Sequence, residues 1–167
     1  MSNNVYVGEY VDILENSSYY TSLPSILDGA KKSINVCMYH IALSSASHPS
    51  AILLQSLAKA KKRGVKVRVI VDRDRDDDPY MSNIVNKKAI DYLANNGVKC
   101  KHDSPDKLLH SKFLTIDGVE AVIGSHNWTT GSYFQYDDIS FHIKSKGYTS
   151  YMERRFERIW KRGMIAK

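Results

Sequence analysis

Residues 110–127 read HSKFLTIDGVEAVIGSHN, and the interpretation of this run decides the fold. Leu114, Thr115 and Ile116 lead into Asp117-Gly118, and Val119 to Ile123 lead out, so two β-prone runs flank the strongest two-residue hairpin signal. Side chains in a strand alternate between faces, so His110 and Lys112 point the same way. With Asp117 and Gly118 as the loop of a type I′ turn, Ile116 pairs with Val119. Counting outward then sets Lys112 opposite Ile123 and His110 opposite Ser125. Asn127 joins that face, and an imidazole, an ammonium, a hydroxyl and a carboxamide meet at the open end of the hairpin. Gly124 falls on the other face, where the missing Cβ leaves room for another element or for a ligand.

This set suits a tetrahedral anion. Lys112 supplies a point charge for a phosphate oxygen, Ser125 and Asn127 supply neutral donors, and His110 can act as nucleophile or as acid and base near neutral pH. A lone His-x-Lys would ordinarily be a solvated surface pair. Six specified residues in this spacing are another matter, since average usage would produce them by chance on the order of once in 10⁷ to 10⁸ start positions.

The pattern His, any, Lys, any four, Asp, any six, Gly-Ser-any-Asn resembles the HKD motif of the phospholipase D superfamily, matched at every specified position from His110 to Asn127. Upstream, INVCMY from Ile34 to Tyr39, a helical segment and RGVKVRVIVD from Arg63 to Asp72 resemble the first half of that domain more loosely. The resemblance implies that His110 attacks phosphorus to form a phosphohistidine. It implies that Lys112 and Asn127 hold the phosphate oxygens with help from Ser125, and that a second motif histidine protonates the leaving oxygen and then activates water. The motif aspartate is Asp117; the family pattern counts it with His110 and Lys112 as catalytic, but its place in the turn assigns it a structural or long-range electrostatic role. Family members also orient the histidine with a carboxylate after the motif. Asp137 and Asp138 are the candidates, Asp138 by spacing, and a solvated strand-entry turn is the competing reading.

Only one motif is present. His142-Ile143-Lys144 lacks the later aspartate and the Gly-Ser-any-Asn, and reads as a strand with alternating exposed residues. One motif in a chemistry that uses two implies a homodimer whose two His110 residues face each other and titrate as a coupled pair.

The remaining residues bound the context. The 167 residues, 43% hydrophobic and 25% charged, suit one globular domain over residues 1–167. No apolar run of membrane-spanning length occurs, and the amino terminus lacks the basic flank and apolar core of a secretory signal, so a cytoplasmic protein is expected. Cys37 and Cys100 lie in expected strands without metal or disulfide spacing and read as buried free thiols. No cofactor and no metal are expected.

Strands are expected over Val5–Leu14, Ile34–Ile41, Val65–Val71, Val98–His102, Leu108–Ile116, Val119–His126 and Asp138–Lys144. Helices are expected over Pro24–Lys32, over Ser50–Arg63 with Ile52, Leu53, Leu57 and Ala60 inward, over a segment capped by Ser82 and stopped at Asn96-Gly97, and over Thr149–Arg162. That alternation gives an α/β architecture, a mixed sheet sandwiched between helices. The aspartate-rich run Asp72–Asp78 reads as a solvated loop, because two interleaved arginines argue against a cation site. His40 either lines the cleft or is a structural histidine. Trp128 and Tyr133 either stack on a substrate or pack in the core.

Three functions fit. A net charge of +6 with basic clusters at Lys59–Arg68 and Arg154–Arg162 favours a polyanion, hence a metal-independent, non-specific endonuclease acting on DNA or RNA. The same charge would draw the chain to anionic phospholipid as a phospholipase of the cardiolipin type. A nucleic-acid-binding module without catalysis is the third reading, and the intact motif weighs against it.

Overall fold

The structure, a computed structural model, describes residues 10–75, 79 and 81–166. Eight strands form one mixed sheet: β1 (Tyr10–Glu15), β2 (Ser33–Met38), β3 (Lys66–Val71), β4 (Lys99–His102), β5 (Phe113–Ile116), β6 (Glu120–Gly124), β7 (Ile139–Lys144) and β8 (Met164–Ile165). Five helices accompany them: α1 (Ser17–Asp28), α2 (Ser50–Lys62), α3 (Ser82–Asn95), the short α4 (Thr130–Phe134) and α5 (Lys146–Arg162). The sheet order is β1-β7-β6-β5-β2-β3-β4-β8. β2, β3 and β4 run parallel, joined through α2 and α3, while every other pairing is antiparallel.

The parallel strands sit in the middle because they are apolar on both faces, as crossover connections require. Ile34 and Val36 of β2 pack with Leu23, Leu27, Leu53 and Leu57 on one side, whereas Cys37 packs with Phe113, Met152 and Phe156 on the other. Helices therefore cover both faces, α5 alone on the second. Cys37 and Cys100 are buried and free, as expected, and burial pushes both thiols up, Cys100 to about 12.

Several boundaries differ from the sequence reading. Helix α1 begins at Ser17, and Pro24 lies inside it. Burial of Tyr19, Leu23 and Leu27, four residues apart, outweighs the expected start at Pro24. In α2 the buried stripe is Leu53, Leu54, Leu57 and Ala60, while Ile52 is exposed. Ser50 does not cap that helix: its hydroxyl donates to the Trp128 carbonyl at 2.8 Å, deep in the core. Helix α5 starts three residues early, at Lys146, after a Ser145 cap. Of the first expected strand, Val5–Glu9 lies outside the described residues.

The hairpin carries the correction with most consequence. Asp117 and Gly118 do adopt left-handed conformations, with φ of 54° and 74°, and the Val119 N–H closes the turn on the Ile116 carbonyl at 3.1 Å. Yet Ile116 pairs with Glu120, not Val119. Val119 drops out of the ladder, and its carbonyl instead accepts from the Ser145 N–H at 3.0 Å, where α5 begins. That one-residue shift sets Lys112 opposite Gly124, whose N–H donates to the Lys112 carbonyl at 3.2 Å.

Candidate active site

The site lies where β2 and β3 end and where β5 begins, outside the carboxyl ends of the parallel strands. Strand β5 starts only at Phe113, so residues 108–112 form an irregular segment instead of the expected strand. Its shape is imposed from β3. Asp72, 1% exposed, accepts from the Leu109 N–H at 2.7 Å and from the Ser82 hydroxyl at 2.7 Å. The carboxylate thus fixes the backbone one residue before His110.

Asn86 performs the same task for β2. Buried in α3, its Oδ1 accepts from the Ile41 N–H at 2.7 Å, and its Nδ2 donates to the carbonyls of Tyr39 at 3.0 Å and Asp72 at 3.3 Å. One carboxamide ties together the ends of both central strands. Neither Asp72 nor Asn86 stood out in the sequence. Asp72 belonged to a run read as solvated, and Asn86 sits mid-helix; only the apolar residues around each give a hint. Asp74 also departs from the solvated-loop reading, since its carboxylate accepts from the N–H groups of Ser82 and Asn83 at the start of α3. Asp76, Asp77 and Asp78 lie outside the described residues.

Tyr39 is the hub of the pocket. The His110 ring lies 4.8 Å from its ring, the His40 ring stacks on it at 3.8 Å, and the Lys112 ammonium sits 5.1 Å from its centroid. Lys112 is 8% exposed and donates to the His110 carbonyl at 2.8 Å. Burial lowers the proton affinity of Lys112, and Asp138 and Asp72 oppose that trend. His110 itself is exposed. Burial of part of the ring lowers its pKa, the Lys112 charge lowers it further, and Asp72 acts in the opposite sense. A neutral imidazole with a free lone pair is therefore favoured at pH 7.

Asn127 stands across the pocket. Its Oδ1 accepts from the His40 N–H at 3.4 Å and its N–H donates to the Ser132 hydroxyl at 3.1 Å, which leaves the two Nδ2 protons for another acceptor. Ser125 does not lie opposite His110 in the ladder. Its hydroxyl donates to Asp138 Oδ1 at 2.5 Å and accepts from the Ile139 N–H at 3.0 Å, which binds the end of β6 to the start of β7. Asp138, expected to orient His110, is thus engaged with Ser125 and reaches the site through its charge on Lys112. Gly124 fits the reading of a close approach: a Cβ there would fall inside the backbone and side chain of Ser140 on β7.

Asp117 lies at the other end of the sheet. Its carboxylate accepts from the backbone N–H groups of Lys31, Lys32 and Ser33 at 2.7–2.8 Å, at the start of β2. β2 spans six residues, so the site is roughly 20 Å away. Partial burial works against ionisation of Asp117, but the three amides outweigh it and hold the carboxyl below its ordinary value. Grouping Asp117 with the catalytic residues is therefore corrected: it anchors the turn.

Other histidines and aromatics resolve as structural. His126 is buried, stacked on Tyr19 at 4.3 Å and bonded to Ser140 and the Asn16 carbonyl. His40 both packs on Tyr39 and bonds the Ser82 hydroxyl at 3.1 Å, so it joins the Asp72 network at the cleft wall. Trp128 and Tyr133 are fully buried, Trp128 donating to the Tyr19 hydroxyl at 3.0 Å. His142, read as exposed, is buried against Glu120 at 2.7 Å.

Fold and donor set together define an α/β protein in which an imidazole, an ammonium and a carboxamide gather at the carboxyl ends of the central strands. The chain belongs to the phospholipase D superfamily: residues 23–160 match the family described as "Cardiolipin synthase, PLD-like domain". The mouse mitochondrial cardiolipin hydrolase is 30% identical over 145 residues, which cover 87% of this chain and 59% of that protein. The 5'-3' exonuclease PLD3 of Xenopus laevis is 29% identical over 169 residues, 89% of this chain and 31% of that one. The chain thus spans less than two thirds of the length of these relatives. Among solved structures, the phospholipase D family member Nuc from Salmonella typhimurium superposes with a TM-score of 0.81 at 23% identity, over 95% of this chain and 98% of that one. No helix among the described residues is long and apolar enough to cross a membrane.

Proposed function

We propose that the protein is a phosphodiesterase that cleaves nucleic acid, as a metal-independent endonuclease, through a phosphohistidine formed on His110 in a homodimer. The observation that carries this reading is the convergence of the His110 ring and the Lys112 ammonium on Tyr39, with the Asn127 carboxamide beside them on His40. An imidazole, an ammonium and a carboxamide bind an anion, whereas a hard divalent cation calls for clustered oxygen ligands.

The neutral His110 nitrogen attacks phosphorus and the bond to the leaving oxygen breaks. That oxygen takes its proton from the imidazolium of the second copy's His110. Water then gives up a proton to the same second imidazole as it attacks, the phosphorus–nitrogen bond breaks, and His110 is restored. Lys112 and Asn127 balance the charge that gathers on the non-bridging oxygens. Ser125 ties the end of β6 to Asp138 at the start of β7, and Asp117 supports the hairpin from its turn.

Dimerisation is supported by an apolar face beside the site. Val11, Ile13, Ile139 and Phe141 are 55%, 54%, 40% and 37% exposed and share one face of the paired strands β1 and β7. That face lies beyond the strands that α5 mainly covers, β2, β5 and β6. Phe141→Asp is expected to give a monomer by sedimentation and to abolish cleavage; a fully active monomer would overturn the shared site.

The net charge of +6 favours nucleic acid. A phospholipid diester is the second reading, favoured by the similarity to cardiolipin hydrolases. Incubation of the protein and of His110→Ala with plasmid, single-stranded DNA, RNA and cardiolipin vesicles in EDTA decides between them. Nucleic-acid cleavage lost in the variant supports the proposal, lipid turnover alone replaces it, and cleavage abolished by EDTA in the native protein ends the metal-independent mechanism.

A further inference from the structure

Helix α5 has two flanks, and carboxylates line only one of them among the described residues. One borders a groove of about 700 Å³ lined by Lys66, Arg68, Arg154, Lys161 and Arg158, which reaches both flanks, but also by the carboxylates Glu153 and Glu157. Glu157 is spent on Arg68 at 2.5 Å, and the groove runs back to Ser33, at the turn end of the sheet. The other flank faces residues 107–111 across a cleft of about 230 Å³ lined by Lys107, Ser111, Arg155, Arg158 and Arg162 over a floor of Leu109 and Ile159. No carboxylate is among its described lining residues.

This second cleft adjoins a hollow on the α5 side of His110 and Lys112. Ser111 and Arg155 also line that hollow, of about 410 Å³, which contains His110 and Lys112. Arg155 is fixed at the junction by its bond to the Ser111 hydroxyl at 3.0 Å, which uses one of its five N–H donors. Arg162 forms a bidentate pair with the fully buried Asp103, at 2.8 and 2.5 Å, so its charge is cancelled locally and it serves as the cleft's end wall. The charge left over belongs to Lys107, Arg155 and Arg158. Arg155 and Arg158 are three residues apart on one helix, about 4.5 Å along its axis, so they are surface neighbours that can face the same cleft.

We infer that the cleft between α5 and residues 107–111 is the path along which a nucleic-acid strand reaches His110, its phosphates held by Lys107, Arg155 and Arg158. This rests on the nuclease reading above. A phosphodiester presented by a lipid headgroup fills the hollow at His110 and does not extend along the cleft, so the path selects a polymer.

The test compares the native protein with a Lys107→Gln, Arg158→Gln double variant on three substrates: a single-stranded 20-mer, bis(p-nitrophenyl) phosphate and cardiolipin vesicles. Two lost phosphate contacts should reduce the slope of log(kcat/KM) against log[salt] for the 20-mer by about 1.4. The KM for the 20-mer should rise roughly tenfold at 0.15 M salt, several times more than any change in kcat/KM on the small diester. Equal losses on the 20-mer and the small diester, an unaltered salt slope, or a loss confined to vesicles would each overturn the path. A native protein inert toward every nucleic acid would remove the nuclease reading itself, and the path with it. Cleavage by the native protein with a salt slope that the variant does not change removes the path alone.

Discussion

The closed and open ends of the β5–β6 hairpin treat polar groups in opposite ways. At the turn, Asp117 satisfies its carboxylate on three backbone amides, and Val119 gives its carbonyl to Ser145. At the open end, His110 is exposed, Lys112 is a buried ammonium with one hydrogen-bond acceptor and an aromatic face, and Asn127 keeps two donors for an outside partner. One motif therefore contains two kinds of residue. Its spacing records the length of the hairpin as much as the chemistry, and a polar group spent inside the fold stabilises it while one held in reserve serves a ligand.

The sharpest way to break this contrast is His110→Ala. A loss of turnover on the order of 10⁴- to 10⁶-fold is expected, with a melting temperature within about 2 °C of the native protein, because the exposed ring is not part of the core. A large fall in melting temperature would show that the open end is structural as well.

Asp117→Ala should do the reverse. Three amides lose their acceptor and a left-handed φ is imposed on alanine, costing roughly 2–4 kcal/mol, or about 5–15 °C in a protein of this size. Turnover below the transition should fall less than tenfold, and Asp117→Asn should recover part of the stability. Because the folded carboxyl lies below its ordinary value, its contribution is present above about pH 4 and is lost as pH falls toward the folded value.

Asp72→Asn links the two behaviours, since the residue is buried yet sets the chain beside His110. A drop in kcat of roughly 10–100-fold is expected from misplacement. Asp72 also raises the proton affinity of His110 against burial and Lys112. Its neutralisation should therefore move the acid limb of the pH–rate profile to lower pH, and a shift upward would contradict the assigned network.

The smallest effect belongs to His126. Burial lowers its pKa, so the folded state favours the neutral ring, and stability present above about pH 6.5 should decline as pH falls below that value. The urea midpoint should drop by the equivalent of about 1 kcal/mol or less between pH 7 and pH 5, and His126→Gln should flatten that dependence.

Much of this was legible in the sequence because it is local. Asp117-Gly118 demanded a left-handed turn, and the apolar runs Ile34–Ile41 and Val65–Val71 announced β2 and β3. The buried thiols followed from composition and pattern, whereas Trp128 and Tyr133 fitted either a stacking platform or the core until their burial placed them in the core. The extra residue at Val119 was not legible, because the signal for a two-residue loop is the same whether or not a following carbonyl is claimed by a distant helix. Nor were Asp72 and Asn86, whose partners lie 37 and 45 residues away in the chain.

By itself the sequence determined the chemistry on offer and the order of the longer elements, without α4 and β8, since residue type, hydrophobic period and turn conformation act over a few positions. Only the tertiary structure decided which of those groups are free to act. It drew Asp117 and His126 into the scaffold and set a buried carboxylate and a buried carboxamide behind His110. It turned one flank of α5 into a basic approach to the site, because hydrogen-bond satisfaction and burial are settled between segments far apart in the chain.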